Sequence, residues 1–175
     1  MFGKSNKTET PKVTKEEIVN YITNMNIRTF GLGGGGLDKV DVYFHIQQIV
    51  TMYDAYLKGE LEEMEKKHEE ELNRLMGNVP EGEQGEQGVE QPIIRSESQI
   101  IRELEKNFKA LNQEVVDYLN KMDIKKATFG GFDRADVYAR IQDIAIMQGK
   151  IIEKMRKSYE NEIIRLHRMI PKDGW

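Results

Sequence analysis

The stretch ATFGGFDRADVYARIQDIAIM (127–147) has an earlier counterpart, RTFGLGGGGLDKVDVYFHIQQIVTM (28–52). Each contains Thr-Phe-Gly, a glycine turn, an Asp-x-x-Asp and then apolar residues at helical spacing. From the last glycine of each stretch onward, residues 36–52 and 131–147 are identical at nine of seventeen positions. A match of this length, repeated within one chain, indicates a duplicated structural unit.

The residues before each stretch are also similar, since EIVNYITNMNI (17–27) and EVVDYLNKMDI (114–124) share five of eleven positions. We therefore predict an all-α fold in which each copy is a short helix, a glycine loop and a long helix. The predicted divisions are a flexible N-terminus (1–13), a first repeat (14–76), an acidic linker rich in Gly, Pro and Gln (77–97) and a second repeat (98–175).

The Asp-x-x-Asp pattern predicts how the long helices begin. Asp38 and Asp133 suit the N-cap, because an Asp side chain accepts hydrogen bonds from unpaired helix amides. Asp41 and Asp136 then place negative charge at the positive end of the helix dipole. We prefer this capping role over a metal or catalytic role. The predicted loop and cap residues are Gly36, Asp38, Asp41, Gly131, Asp133 and Asp136.

The apolar face of both long helices recurs every eleven residues. The repeat is seen in Ile46, Leu57 and His68, and again in Ile141, Ile152 and Ile163. Such a repeat has ~3.67 residues per turn and favours a straight or slightly right-handed coiled coil. The predicted interface residues are Tyr43, Ile46, Val50, Leu57, Tyr138, Ile141, Ile144 and Ile152. The two tyrosines are either anchors of the interface or simple packing residues.

Composition argues against several classes of function. The formal net charge of -4 argues against a nucleic-acid surface. The chain contains no cysteine, which excludes disulfides and thiolate chemistry. No apolar run approaches the ~20 residues that span a bilayer, and the start of the chain lacks the apolar segment of a secretory signal. We therefore expect a cytoplasmic protein that does not bind nucleic acid.

The sequence has no arrangement of residues that predicts catalysis. The glycine run GLGGGG (31–36) lacks the Gly-Lys-Ser/Thr ending and the preceding strand of a phosphate-binding loop. His45, His68 and His167 are dispersed, and no two of them have metal-ligand spacing together with a carboxylate. We expect no enzymatic activity, no cofactor and no metal site.

The segment FGGFDRADVYARI (129–141) resembles the N-terminal lipid-binding domain of the DivIVA/GpsB family of Gram-positive bacteria. That family's pattern is approximately F-R-G-[YF]-D-x-x-[DE]-V-x-x-[FIL]. The matching residues are Gly131, Phe132, Asp133, Asp136, Val137 and Ile141, and in the first copy Gly36, Leu37, Asp38, Asp41, Val42 and Ile46. The resemblance implies a short helix and loop before a parallel dimeric coiled coil, with two loops crossing at the dimer end. It also implies a scaffold of cell division or polarity, with cell-division or cell-wall proteins as partners.

Members of the DivIVA branch press an exposed Phe and an adjacent Arg into the membrane surface. The matching positions here are Phe129-Gly130 and Phe30-Gly31, which keep the Phe and lose the Arg. Nearby basic residues could replace the Arg by attracting anionic headgroups. The predicted membrane- or partner-binding residues are Phe30, Phe129, Arg28, Lys125 and Lys126. Two interpretations stay open: peripheral attachment to the inner face of the membrane, or a soluble interaction module whose loops bind a protein partner.

Self-association through the long helices is the remaining prediction. The two copies could pair within one chain, or each copy could pair with itself in a second chain. A helix over 38–76 would be ~58 Å long, and the 21 linker residues extend to at most ~70 Å. Because the return path is so long, we prefer the intermolecular dimer.

Overall fold

The computed structural model describes residues 12–31, 35–77 and 97–169. These residues form four α-helices and no strand, which confirms the all-α prediction. The predicted linker lies almost wholly outside the described residues, as do most of the predicted N-terminal segment and the last six residues. The helices are α1 (Lys15–Asn24), α2 (Lys39–Gly77), α3 (Glu97–Lys121) and α4 (Arg134–Met169).

Local sequence accounts for where the helices begin. Thr14 caps α1 with the predicted reciprocal pair, because its hydroxyl accepts from the Glu17 amide while the Glu17 carboxylate accepts from the Thr14 amide. Asp38 Oδ1 accepts from the Asp41 amide at 2.9 Å, and Asp133 Oδ1 accepts from the Asp136 amide at 3.0 Å. Both long helices therefore begin directly after an aspartate N-cap.

The long helices α2 and α4 lie side by side and run parallel. Their contacts join Leu37 to Phe132, Glu60 to Arg156 and Glu71 to His167, with partners 95 or 96 positions apart. The two copies are therefore paired in the register of the internal repeat. The core at the loop end contains Ile18, Ile27, Leu37, Val42, Ile46, Ile49, Tyr53, Ile124, Phe132, Val137, Ile141 and Ile144.

The short helices flank this pair, but they differ in length. Helix α1 packs on α2 and helix α3 packs on α4. Lys15, where α1 begins, corresponds to Asn112 in the alignment of the copies, so α3 has an additional N-terminal half that α1 lacks. The second apolar cluster includes Phe108 and Val115 of α3 together with Leu57 and Met64 of α2 and Ile151 and Met155 of α4.

This arrangement differs from the preferred expectation of pairing between two chains. Within the described residues, α2 pairs with α4 of the same chain. The physical reason is the path of α3, whose 25 residues cover ~37 Å of the return toward the loop end. The residues outside the described ranges therefore do not have to span the full length of α2. Self-association of the whole molecule stays a prediction.

Candidate functional site: the crossed loops

The two glycine loops cross and hydrogen-bond to each other at one end of the molecule. Leu37 and Phe132 exchange both of their backbone hydrogen bonds, with N···O distances of 2.7 and 2.8 Å. Each of these residues also forms a bridge within its own loop, Leu37 with Thr29 and Phe132 with Lys126. Four short backbone segments thus lie side by side, with the two copies related by an approximate two-fold axis between Leu37 and Phe132.

The second aspartate of each motif fixes the loop to the start of the helix. Asp41 Oδ2 accepts from the Arg28 amide at 2.7 Å, and Asp136 Oδ2 accepts from the Lys125 amide at 2.8 Å. The hydrogen bond from the Arg28 amide, with the Arg28 guanidinium and His45 nearby, lowers the pKa of Asp41 against the opposing effect of desolvation. These carboxylates therefore hold the incoming chain in addition to occupying the first turn of the helix. The sequence predicted only the helix role.

Glycine is required where the loops cross. A Cβ on Gly131 would lie 2.6 Å from the Leu37 carbonyl oxygen, and Gly131 has a φ of +73°. Gly130 has a φ of +93°, and a Cβ there would lie 2.8 Å from the Phe30 ring. Gly130 stands where the resembled family has its arginine, so its backbone conformation and the ring above it explain why a large side chain is absent there.

The two predicted phenylalanines occupy different positions in the paired loops. Phe30 donates its amide to the Gly36 carbonyl, and the equivalent bond in the second loop runs from Ala127 to Gly131. By this hydrogen-bond pattern Phe30 corresponds to Ala127, whereas Phe129 lies in the middle of the loop tip. Phe129 is 82% exposed and Phe30 is 48% exposed, because the Phe30 ring lies over Gly130. The alignment of the two Thr-Phe-Gly motifs in the sequence predicted that the two phenylalanines occupy equivalent sites, and the hydrogen bonds show that they do not.

The predicted basic residues border a cavity beside the Phe129 tip. The cavity has a volume of about 450 Å³ and lies between the two loops, with Lys125, Lys126 and Arg134 on its wall. Thr128 and Phe129 also line it, and Asp133 is the carboxylate among its lining residues. Arg28 does not line this cavity, and its guanidinium pairs with Asp41 at 3.2 Å. The cationic residues that line the cavity therefore all come from the second copy.

The predicted interface residues line the contact between α2 and α4. Ile46, Leu57, Ile141 and Ile144 are buried in the two apolar clusters, and Val50 and Ile152 pack against those clusters. The matched tyrosines are less enclosed. Tyr43 is half exposed and makes an edge contact with the Phe132 ring, with centroids 5.6 Å apart, and Tyr138 is also exposed.

Sequence reasoning missed three features of this end of the molecule. Arg134 was not singled out, although its place directly after the cap aspartate was a usable signal. The exposed pair Val40 and Phe44 on α2 was also missed, because a search for one apolar face per helix gives little weight to residues on the opposite face. The third feature is a bond between the short and long helices: Tyr21 OH lies 2.7 Å from His45 Nδ1.

No protein-family model, no curated protein and no solved structure matches the chain. Within the described ranges, no helix has an apolar stretch long enough to cross a membrane. No cluster of three or more potential metal ligands was found in that part of the chain either.

Proposed function

We propose that the protein is a non-enzymatic scaffold of the DivIVA type, whose crossed loops contact an anionic membrane surface. The observation that carries the proposal is the position of Phe129, an 82% exposed aromatic side chain beside Lys125, Lys126 and Arg134. Aromatic and aliphatic side chains enter the boundary between headgroups and acyl chains, and nearby cations are attracted to anionic lipids. The loop end combines both chemistries.

The long helices supply the scaffold part of the proposal. Ile46, Leu57 and His68, which are eleven residues apart in α2, are all buried. In α4, Ile141 is buried but Ile152 is only partly buried, and the buried positions from Val137 to Met155 are spaced by four and three residues. The burial therefore supports two long helices packed in parallel, and it supports the eleven-residue repeat in α2 only. In this arrangement the two copies in one chain together form the crossed-loop end that the resembled family builds from two chains.

Sedimentation with lipid vesicles tests the proposal. The full chain is mixed with phosphatidylcholine vesicles that either contain or lack phosphatidylglycerol, and the pelleted fraction is measured. We expect pelleting only with phosphatidylglycerol, and we expect it to weaken as salt is raised, because salt screens attraction between charged surfaces. Phe129→Ser should remove most of the pelleting. Phe30→Ser should have a smaller effect, because the Phe30 ring is already packed on Gly130.

A matched pair of charge variants controls for total charge. Lys125→Glu/Lys126→Glu changes two cations at the loop end, whereas Lys150→Glu/Lys154→Glu makes the same change on the exposed surface of α4. We expect only the first variant to lose vesicle binding. The proposal is overturned if the wild type stays in the supernatant or if both charge variants behave alike.

The second candidate function is a soluble module whose same loops bind a protein partner. The open 450 Å³ cleft beside Phe129 is the observation that favours it, because concave surfaces are typical of sites for a specific ligand more than of a lipid surface. If the vesicle experiment fails, a photo-cross-linking residue in place of Thr128, which lines the same cavity, would test this function by trapping the partner. Phe129→Ser with no effect on that capture would exclude the loop tip as the binding site.

A further inference from the structure

One side of α2 that faces away from the core carries large exposed apolar residues. Val40 is 75% exposed and Phe44 is 53% exposed. Thr51, Ala55 and Gly59 continue along the same side at helical spacing. We call these five residues the outer face of α2. The end of this face near the loops therefore has large side chains, and the end far from the loops, its distal end, has small ones.

The distal end of the outer face is a hollow. A cavity of about 280 Å³ lies over Thr51, Ala55 and Gly59, and its charged border is formed by Lys12, Asp54, Lys58 and Glu62. A Cβ on Gly59 would meet only the Lys12 side chain, at 3.7 and 3.9 Å. A side chain from another molecule can therefore enter over Ala55 without displacing the backbone, and at Gly59 it would pack against the Lys12 side chain.

The second copy serves as an internal comparison, because the matched side of α4 lacks both features. Val40 and Phe44 correspond to Ala135 and Ala139, which are small. At the distal end, Ala55 and Gly59 correspond to Lys150 and Lys154, which are long, charged and exposed. The exposed large apolar residue on the matched side of α4 is Ile146, at the position of Thr51. Of the two long helices, only α2 therefore combines large apolar residues at one end of this side with a hollow at the other.

We propose that the outer face of α2 binds the outer face of α2 in a second copy of this chain, with the two helices antiparallel. Placing Phe44 over Ala55 of the partner also brings Val40 over the partner's Gly59. In an antiparallel pair, a step of four residues back along one helix matches a step of four residues forward along the other. Large side chains then meet small ones on both sides of a two-fold axis, which closes the assembly at two chains.

A second copy fits this face better than an unrelated partner, because the large side chains and the hollow that would receive them lie on the same surface. The interface is a single helix pair spanning about 20 residues, or ~30 Å, which is small for a stable assembly. We therefore expect a dissociation constant in the micromolar range. The proposal does not depend on membrane binding, and the vesicle experiment and the experiment below can fail separately.

Sedimentation velocity of the full chain over a range of concentrations tests the dimer. We expect the mass to rise from one chain to two. Val40→Ala/Phe44→Ala, which installs the residues of α4, should raise the dissociation constant at least tenfold. Ala55→Lys should do the same from the other end of the face. The control is Ile146→Ala on α4, which removes an exposed apolar side chain at the position matched to Thr51 and should change the constant less than twofold.

Disulfide trapping tests the antiparallel register. The natural chain has no cysteine, so introduced thiols are the only ones present. We expect a chain with Phe44→Cys to cross-link to a chain with Ala55→Cys faster than either cross-links to itself. A protein that stays a single chain at every concentration would overturn the proposal. A dimer unaffected by both surface variants, or faster cross-linking of position 44 to itself, would overturn it equally.

Discussion

The two grooves that flank the α2–α4 pair differ in chemistry at matched positions. Ile151 and Met155 of α4 are buried in the cluster that includes Phe108 and Val115 of α3. Their counterparts on α2 are Tyr56 and Glu60, and Glu60 pairs with Arg156 at 2.7 Å on a side where no described helix provides similar cover. The residues at these matched positions therefore differ with the short helix beside them. They are apolar on α4, where α3 covers them, and include a charged residue on α2, where α1 does not extend as far.

The largest expected effect comes from exchanging the residues of the two grooves. Met155→Glu places a carboxylate in the apolar cluster beside α3, and we expect it to lower the free energy of unfolding by about 3 kcal/mol or more, because a buried charge without a partner is costly. The reciprocal change, Glu60→Met, removes only a partly exposed ion pair and should change stability by less than about 1 kcal/mol. Urea denaturation followed by circular dichroism measures both.

The exchange also has a control in the ion pair itself. Arg156→Met removes the other partner of Glu60 and should cost somewhat more than Glu60→Met. It leaves the mostly covered Glu60 carboxylate without its cation, whereas Glu60→Met leaves the exposed Arg156. Equal losses of stability in Met155→Glu and Glu60→Met would contradict the difference between the grooves.

The second prediction concerns the crossing, where the two copies are alike. Gly131→Ala adds a methyl group 2.6 Å from the Leu37 carbonyl oxygen at a φ of +73°, so the loops must separate. We expect a loss of about 2–3 kcal/mol. Gly31→Ala is the matched control, because Gly31 has a φ of +78° but open space around it, and it should cost only about 1 kcal/mol.

The same denaturation measurement distinguishes the clash from the cost of the backbone conformation. Similar losses for the two alanine variants would show that only the positive φ matters and that the loops tolerate separation at the crossing. A loss confined to Gly131→Ala would identify close approach of the two copies as the reason for glycine there.

The parts of the fold that were predicted correctly from the sequence are those that depend on local patterns. The aspartate caps and the apolar spacing depend on neighbouring residues, so they can be read from short windows. The equivalence of Phe30 and Phe129 could not be read in this way, because the first loop is two residues longer and its hydrogen bonds shift the match to Ala127. The pairing of α2 with α4 depended on the path of α3, which is a tertiary feature.

The site was predicted less completely than the fold for the same reason. Lys125, Lys126 and Phe129 were identified because they are near a recognisable motif. Their convergence with Arg134 on one cavity required the crossing of the two loops, to which residues about 95 positions apart contribute. No local pattern contains that information.

The smallest expected effect is the pH dependence contributed by Asp41. The Arg28 amide lowers the pKa of this carboxyl in the folded state below its unfolded value of about 3.9. The folded state therefore binds this proton less readily than the unfolded state does, and ionised Asp41 stabilises the fold above the unfolded pKa. That contribution is lost as the pH falls through the lowered pKa. Asp41→Asn should make stability less dependent on pH below about 4.

The measurement is the urea midpoint of wild type and Asp41→Asn between neutral and strongly acidic pH. The difference between the two proteins should be largest at neutral pH and should shrink in acid, because protonated Asp41 no longer presents a charged acceptor to Arg28. Val40→Ala is the non-titrating control and should keep the wild-type pH dependence. A difference that stays constant with pH would contradict this prediction. It would show that Asp41 stabilises the first loop through the geometry of its hydrogen bonds and not through its charge.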